Sequence, residues 1–545
     1  MTKNNVFRFL NNESKTIVGA AAIVGVLSFA SRIVGFVRDR ILLGRFGAGD
    51  ELDVYYAAFK LPDLLFGLLV VGSLSASFIP IFSRYYHSLT LRDRAWAFTN
   101  TSLNLIAMVM AAMSCVLFIF AHPLAGLIAP GFDAAKQGLV ADMTRVMLLA
   151  QILLAVSVVF GSVLQGLKRF LLFSLAPIFY NVGIIIGGLC FTKYLGPIGL
   201  AWGVVLGAFL HLLVELIGVL SAGYRWSPIV KWNDADMREM VRLTGPRMLG
   251  IAVSQVNFVI LTIIATTLAV GSVTIFQVAY NIQFFAIGIF GVSYAIAVFP
   301  QFVQELEKND LKAFVGTFSH AVRQVLFFMV PMMVVFLVLR AQIVRVVAGA
   351  GQFDWTATVL AADTLAFFTL SFVAQSLAYI VSRAFFAFRD TMTPLVAGLV
   401  STLLSYIAAR WFSQYFGVVG LSMAFSIAAI ANLALLWVSL RQRTGTLDEA
   451  RIIRSLFTIS IAGLACAVVT QMLKPIIVSV IALDTFFGVL AQGLIAGGTG
   501  LCVYALVSYA LRSEELFEVA SGLKRRILRK STPEETVSSD SIAVV

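Results

Sequence analysis

The stretch Ser31-Arg-Ile-Val-Gly-Phe-Val-Arg-Asp39 places three charged side chains in an otherwise apolar segment that is long enough to cross a membrane. A second apolar segment follows it and carries Asp53, Lys60 and Asp63. A central Arg or Lys costs about 2.5–3.5 kcal/mol in hydrocarbon, so charges that are retained there are expected to turn toward a wet interior. The two segments are therefore predicted to line a cavity that handles a charged substrate.

The composition of the chain is that of a membrane protein. Of its 545 residues, 60% are hydrophobic and only 12% are charged, which is too little polar surface for a soluble domain. The net charge of +12 comes from basic residues in short loops and near the C-terminus, as the positive-inside rule describes, and not from a docking face for nucleic acid. This pattern predicts that both termini are cytoplasmic. Arg38-Asp-Arg40 and Arg45 do not follow the positive-inside pattern, because they lie between the first two segments, on the outer side. This exception indicates that these arginines have a functional role.

Apolar runs of about 20 residues recur along the whole chain, and each is long enough to span a bilayer. They predict an all-α polytopic membrane protein with about fourteen transmembrane helices. The expected segments are 17–37 (or 17–46), 52–82, 96–121, 139–167, 172–195, 198–221, 246–268, 271–303, 314–339, 357–386, 393–415, 418–439, 452–474 and 484–511.

An internal repeat organises these segments. Phe78-Ile-Pro80 returns as Val298-Phe-Pro300, and Ala129-Pro-Gly-Phe-Asp133 returns as Ala350-Gly-Gln-Phe-Asp354. The offset of about 220 residues means that one six-helix unit occurs twice. Because six is even, both copies enter from the same face and form two parallel lobes around a cleft. Such an arrangement is typical of transporters.

The repeat predicts the domain boundaries. We expect an N-lobe at 1–221, a polar linker at the membrane interface at 222–245, a C-lobe at 246–440, two additional helices at 441–511, and a tail at 512–545 that is first basic and then disordered.

The first segment has two possible ends. If it continues to Phe46, it is about 30 residues long, and Arg32 and Asp39 lie at depth on one helical face with Gly35 between them. If it stops at Val37, Arg32 can extend to the interface instead. Arginine's planar fork suits a diphosphate, because it makes bidentate, charge-assisted contacts.

The second segment places Asp53, Lys60 and Asp63 on one helical face. Pro62 has no backbone N–H, so we expect a local bend and a free carbonyl. The alternative is an intrahelical ion pair between Lys60 and Asp63 with no contact to substrate.

Other polar residues of the apolar segments have two interpretations. Arg247 follows Gly245-Pro246 and is either a cavity cation or an anchor at the membrane surface. His211 and Glu215 lie one turn apart and form either a proton relay or a satisfied buried pair. The four cysteines are expected to be small buried hydrophobes without a disulfide or metal.

The chain carries no motif of nucleophilic, metal-dependent or nucleotide-dependent catalysis. We therefore predict that it is not an enzyme and has no catalytic residue, metal or cofactor.

Several motifs resemble the MurJ (MviN) family of lipid II flippases in the multidrug/oligosaccharidyl-lipid/polysaccharide (MOP) exporter superfamily. The quoted matches are Ser31-Arg-x-x-Gly-Phe-x-Arg-Asp39, Phe46-Gly-Ala-Gly49, Asp53, Phe59-Lys-Leu-Pro62, Phe78-x-Pro80, Gly245-Pro246, Ser254-Gln255 and Gly271-Ser-Val273. The resemblance implies two lobes around a cationic cavity, a lipid-tail groove formed by the last two helices, and alternating access in the bacterial inner membrane.

The resemblance also implies roles for single residues. Arg32, Arg38, Asp53 and Lys60 match positions that are important in the family. Two cavity arginines of the family do not carry over, because Phe66 and Asn281 take their places, and Phe284 replaces a glutamate. Arg247 is a candidate to compensate. The predicted substrate-binding set is Arg32, Arg38, Asp39, Asp53, Lys60, Asp63, Arg247 and Asn281.

The resemblance implies a lipid-linked diphosphate sugar and membrane lipids as binding partners, and cell-wall synthesis proteins are further candidate partners. A monomer is expected, because the cleft forms within one chain. A coupling ion or the membrane potential stays open. The alternatives are a flippase for another lipid-linked oligosaccharide, a cation-coupled drug exporter, and a scaffold that recruits cell-wall enzymes.

Overall fold

The computed structural model describes residues 17–69, 74–88 and 90–529, of which helical residues 17–22, 69, 74–76, 243–252, 254 and 522–529 are described by their backbone alone. Within these ranges all the regular secondary structure is helical. The N-lobe comprises α1 (Ile17–Phe46), α2 (Asp50–Ala58), α3 (Lys60–Leu69), α4 (Leu74–Tyr86), α5 (Arg92–Ile119), α6 (Ala121–Ile128), α7 (Ala134–Gly166), α8 (Phe170–Ile186), α9 (Thr192–Leu195) and α10 (Gly199–Leu220).

The second half of the chain comprises α11 (Ala235–Thr266), α12 (Ser272–Ile287), α13 (Ser293–Glu307), α14 (Leu311–Val338), α15 (Arg340–Val347), α16 (Trp355–Thr369), α17 (Phe372–Ala387), α18 (Met392–Phe416), α19 (Val418–Thr444), α20 (Glu449–Val478), α21 (Phe486–Ala510) and α22 (Glu514–Arg529). It repeats this pattern in α11–α19, which we call the C-lobe, and extends it with α20–α22. We call the side of the bundle that carries residues 221–234 the linker face, and the side that carries residues 47–49 and 267–271 the opposite face.

Matching helix ends support the repeat. Asp133 is the N-cap of α7 and Asp354 is the N-cap of α16, and each carboxylate accepts a hydrogen bond from the backbone N–H three residues on. Gly196 and Gly417 precede α10 and α19 with φ angles of 63° and 56°, a region that favours glycine. Residues at the same offset thus have the same structural role in both lobes.

The predicted number of membrane crossings is not confirmed. In the described residues, nine helical stretches are long and apolar enough to cross a membrane, or ten if Trp355–Thr369 and Phe372–Ala387 form one bent crossing. The first, second and seventh predicted segments lie partly outside the residues whose side chains are described, so this number does not include them. One stretch, Phe170–Leu220, folds back on itself, because glycines 183 and 187 lie against glycines 207 and 203.

The first two segments show how charge and proline shape the helices. Helix α1 runs without a break to Phe46 over 30 residues, as the longer alternative predicts. The second segment is interrupted at Phe59, between α2 and α3. Because Pro62 cannot donate to it, the Ala58 carbonyl is free to accept the Thr144 hydroxyl of α7 at 3.1 Å.

The linker differs from the expected surface segment in its second half. Helix α11 begins at Ala235, inside the predicted linker 222–245, and continues into the bundle. Its Asp236 is buried against the N-lobe, where it accepts hydrogen bonds from Tyr85 at 2.8 Å and Arg94 at 3.0 Å. A C-lobe helix is thereby fixed to the N-lobe at the linker face.

The start of the tail is a docked helix. Glu515 of α22 is 2% exposed and accepts hydrogen bonds from Ser455 and from Arg323, the latter at 2.8 Å. Glu514 accepts from Arg323 at 3.0 Å and from Arg451 at 2.7 Å. The Arg451 hydrogen bond lowers the pKa of Glu514. The expected disorder concerns residues 530–545, which lie outside the described residues.

The prediction that all four cysteines are buried is wrong. Cys466 is buried, whereas Cys115, Cys190 and Cys502 are exposed on the helix surface. Apolar helix surfaces of a membrane protein face lipid, so apolar character does not place a residue in the interior.

Replacing Arg323 by Gln is expected to release α22. The change leaves Glu515 buried without its cation, and breaking one side of a buried pair costs about 3–5 kcal/mol. Amide hydrogen exchange of 514–521 should accelerate by more than tenfold at pH 7, while α20 keeps its protection.

Arg441→Gln is the matched control, because its pair with Glu449 is exposed and contributes about 0–1 kcal/mol. Since the pKa of Glu514 is lowered, its contribution to docking is complete above about pH 4.5 and is lost as the pH falls through that lowered pKa. Unchanged exchange in Arg323→Gln would contradict this account of the docking.

Candidate functional site

A cavity of about 350 Å³ lies between the two lobes. Helices α1, α2, α3 and α8 contribute from the N-lobe, and α11 and α12 contribute from the C-lobe. The charged lining residues are Arg38, Asp39, Lys60 and Asp63, and the others include Tyr55, Tyr56, Phe59, Tyr180, Gln255, Phe258, Gln277, Tyr280 and Asn281. Five of the eight predicted site residues therefore meet here: the four charged residues and Asn281.

Arg38 is held in a fixed orientation inside the N-lobe. Its Nε and Nη2 donate to Asp39 Oδ1 at 2.9 and 2.6 Å, and its Nη1 donates to Asn181 Oδ1 at 2.9 Å. Asn181 is itself fixed, since its Nδ2 donates to the Pro177 carbonyl at 3.0 Å. Helix α8 thereby positions the guanidinium of α1 through Asn181.

Lys60 connects the two lobes. Its Nζ donates to Gln277 Oε1 of α12 at 2.9 Å and lies 5.3 Å from the ring centre of Phe258. Gln277 in turn donates to Asn281 Oδ1 at 2.9 Å, one turn along α12. The alternative of an intrahelical ion pair is not formed, because no oxygen of Asp63 lies within 4 Å of Lys60 Nζ in this structure. Asp63 is instead exposed to the cavity.

Asp53 lies away from the cavity and joins the lobes at the opposite face. Its carboxylate accepts hydrogen bonds from Gly271 N at 2.7 Å, Thr274 N at 2.8 Å and Thr274 Oγ1 at 2.7 Å. Asp53 thus caps the N-terminus of α12 from the other lobe, a position where the free N–H groups and the helix dipole favour an anion. Gly271 has a φ of +88°, and a Cβ there would lie 2.4 Å from the Ala48 carbonyl oxygen.

Of the predicted residues whose side chains are described, Arg32 is, like Asp53, absent from the cavity lining. Arg32 packs its guanidinium 5.7 Å from the ring centre of Phe285 and next to Gly288. It does not pair with Asp39, whose partner is Arg38. The side chain of Arg247 lies outside the described residues, although its backbone belongs to α11.

The opposite face is closed by residues that the sequence did not single out as partners. Arg40 donates to the carbonyls of Arg345, Val346 and Gly349 at 3.1, 2.6 and 3.1 Å. The Gln352 backbone N–H donates to the Gly44 carbonyl at 2.8 Å. One sign in the sequence indicated that Arg40 is functional: Arg38-Asp-Arg40 does not follow the positive-inside pattern. No sign in the sequence indicated that the partners of Arg40 are carbonyls in and just after α15.

His211 and Glu215 belong to a separate polar cluster. Ser157 of α7 lies 2.7 Å from His211 Nδ1 and donates to Glu215 Oε2, so the three side chains join α7 to α10. In the part of the chain that the structure describes, no group of three or more His, Cys, Asp or Glu side chains could hold a metal ion.

Comparisons with known proteins give consistent results. The family described as "Lipid II flippase MurJ" has a model that matches residues 44–491. A probable lipid II flippase MurJ from Rhizobium tropici is 27% identical over 521 residues, which cover 92% of this chain and 96% of that protein. One from Buchnera aphidicola subsp. Baizongia pistaciae is 24% identical over 481 residues, or 88% and 94% of the two chains.

Solved structures share the fold. A lipid II flippase MurJ in an inward closed conformation matches with a TM-score of 0.72 and 23% identity, covering 90% of this chain and 98% of that chain. An inward-facing multidrug resistance MATE transporter of the MOP superfamily matches with a TM-score of 0.65 and 14% identity, covering 79% of this chain and 99% of that chain.

Asp53→Ala is expected to destabilise the closed opposite face. The change removes three hydrogen bonds and leaves the N–H groups of Gly271 and Thr274 without an acceptor, at a cost of about 2–3 kcal/mol. Thermal unfolding of the purified protein in nanodiscs should show a lower midpoint.

Asp50→Ala is the control on the same helix. Asp50 is half exposed and pairs with Lys136 at 2.7 Å, so its loss should cost less than about 1 kcal/mol. Equal midpoints for the two variants would refute the cap across the lobes.

Proposed function

Because the chain belongs to the lipid II flippase MurJ family, whose model matches residues 44–491, we propose that it moves lipid II, a lipid-linked muropeptide diphosphate, from the inner to the outer leaflet by alternating access. The observation that carries the proposal is the cavity between two repeated lobes, with Arg38 and Lys60 in its lining. The chain acts as a transporter and not as a catalyst.

In this proposal the cationic side chains hold the diphosphate. Arg38 contributes a planar guanidinium that Asp39 and Asn181 already orient, so little side-chain entropy is lost when an anion binds. Lys60 contributes a point charge from the neighbouring helix. Arg32 and Arg247 are the proposed further cations along the path, and Asn281 contributes an amide where the family has an arginine.

Alternating access requires the closed face to open. Asp53, Arg40 and Gly44 hold the lobes together at the opposite face through polar contacts that water can replace once the lobes separate. The proposed lobes are residues 1–221 and 246–440, joined by the linker 222–245. Residues 441–511 form the proposed groove for the polyprenyl tail.

We place the protein in the bacterial cytoplasmic membrane with both termini in the cytoplasm. Lysines and arginines are concentrated in the loops and tail of the linker face, as the positive-inside rule describes for the cytoplasmic side. The proposed partners are the lipid-linked diphosphate substrate and membrane lipids, and the cleft within one chain suits a monomer. Binding of cell-wall synthesis proteins is a further proposal.

A second candidate is a flippase for a different lipid-linked oligosaccharide. It is favoured by Phe66 and Asn281, which replace two cavity arginines of the family. Complementation of a strain depleted of its own lipid II flippase separates the two: growth supports lipid II as the substrate, and lysis supports the second candidate.

Arg38→Ala is expected to abolish translocation. Without the guanidinium the cavity loses its bidentate anion donor and leaves Asp39 without its cation. The full-length protein in vesicles should move labelled lipid II, and the variant should show less than about a tenth of that initial rate, since losing a charged hydrogen bond costs about 1.5–3 kcal/mol.

The matched control is Arg454→Ala, which removes an exposed arginine of α20 outside the cavity. It should transport at the normal rate. Normal transport by Arg38→Ala would refute the role of this guanidinium.

A disulfide across the opposite face is expected to stop transport. A Cβ at Gly44 would lie 3.2 Å from Cβ of Ala350, close to the spacing that a disulfide spans. The double variant Gly44→Cys and Ala350→Cys, made after Cys115, Cys190 and Cys502 are changed to Ser, should lose transport on oxidation and recover it on reduction.

Each single cysteine variant serves as a control and should be insensitive to oxidant. Full transport by the cross-linked protein would exclude opening at this face.

A further inference from the structure

The charged side chains of the cavity differ in how many partners they have inside the protein. Arg38 donates to Asp39 and Asn181, and Lys60 donates to Gln277 across the lobe boundary. Asp39 is buried and accepts from Arg38. Three of the four charged groups are therefore already engaged.

Asp63 is the exception. Its side chain is exposed to the cavity, and among the described residues it makes no side-chain hydrogen bond or ion pair within 4 Å. Lys60, one turn away on the same helix, attracts this carboxylate but donates its hydrogen bond to Gln277 of the other lobe. Among the described residues, Asp63 is therefore the one charged group of this cavity that has no hydrogen bond or ion pair within 4 Å.

A negative group in this place does not suit a diphosphate. Two anions within a few ångströms repel each other, and the repulsion is stronger in an interior where the dielectric constant is low. A cationic group of the substrate, by contrast, would gain a charge-assisted hydrogen bond from Asp63.

The rest of the lining also suits a cation. Tyr180, Phe258 and Tyr280 present aromatic rings to the same cavity, and ring faces attract ammonium groups. The Lys60 ammonium already uses this property, since it lies 5.3 Å from the ring centre of Phe258. The volume of about 350 Å³ is large enough for an amine-bearing side chain but is at the lower end for a whole drug-sized ligand.

We propose that Asp63 and the aromatic residues that line the same cavity form an ammonium-binding subsite, which selects substrates whose head group carries a free primary amine. The inference rests on the proposed function, because it assigns one part of the head group to one part of the same cavity. It places the amine beside Asp63 and leaves the diphosphate to Arg38 and Lys60.

The test compares two lipids and two proteins. The lipids are lipid II with a lysine in its stem peptide and the same lipid II with the lysine ε-amine acetylated. The proteins are the full chain and Asp63→Asn, which keeps the shape of the side chain and removes its charge. Native mass spectrometry measures binding, and vesicle assays measure the initial rate of translocation.

The unaltered chain should bind the free amine at least about tenfold more tightly than the acetylated form, as expected for a charge-assisted hydrogen bond. Asp63→Asn should bind both lipids equally, and Asp63→Glu should retain the preference. Asp142→Asn is the matched control, because this carboxylate is exposed and pairs with Arg145 outside the cavity, so the preference should stay intact.

Equal binding of the two lipids to the unaltered chain, including no binding of either, overturns the inference. It is also overturned if Asp63→Asn keeps the amine preference but loses sodium binding, since Asp63 then serves an inorganic cation. A binding preference without translocation supports the subsite and refutes the flippase proposal, so the two failures are distinguishable.

Discussion

The structure depends on one constraint: charge inside a membrane must either find a partner within the protein or face a wet cavity. Asp53 meets this constraint by capping a helix of the other lobe, with three hydrogen bonds to Gly271 and Thr274. Arg40 meets it by donating to carbonyls of α15. Because both partners lie in the C-lobe, satisfying the charges of the N-lobe also closes the opposite face. Burial of charge and closure of the cavity are therefore the same interaction.

Close backbone packing occurs both within a lobe and between the lobes. In the N-lobe, α8 and α10 pack through glycines, and a Cβ at Gly183 or Gly187 would lie within 2.3 Å of the facing backbone. Such close packing has no second arrangement of similar energy. The lobes also approach each other closely, since a Cβ at Gly131 would lie 2.1 Å from the Thr266 carbonyl oxygen. What the boundary between lobes adds is a set of charged hydrogen bonds, such as those of Asp53 and Arg40, which water can replace when the lobes separate.

The sequence predicted whatever depends on local pattern. The membrane class and the free Ala58 carbonyl follow from residues that are close in the chain. The repeat follows from comparing the chain with itself, and the longer of the two ends considered for α1 is the one observed. The sequence could not predict partners that come from the other lobe: that Asp53 caps α12 or that Lys60 donates to Gln277. It also placed Asp53 on one cavity face with Lys60 and Asp63, because spacing on a helix does not reveal where the helix is interrupted.

The use of Lys60 by both the protein and the proposed substrate has a consequence for transport. A diphosphate that binds Lys60 competes with Gln277, which lies in the other lobe, so binding replaces a contact that holds the lobes together. Arg38 differs, because its partners Asp39 and Asn181 lie in its own lobe and keep it oriented in any arrangement of the two lobes. A ligand shifts a conformational equilibrium only through a difference in its affinity for the two states. By this argument Arg38 contributes to substrate affinity in both arrangements of the lobes, and Lys60 contributes the difference in affinity between the two arrangements.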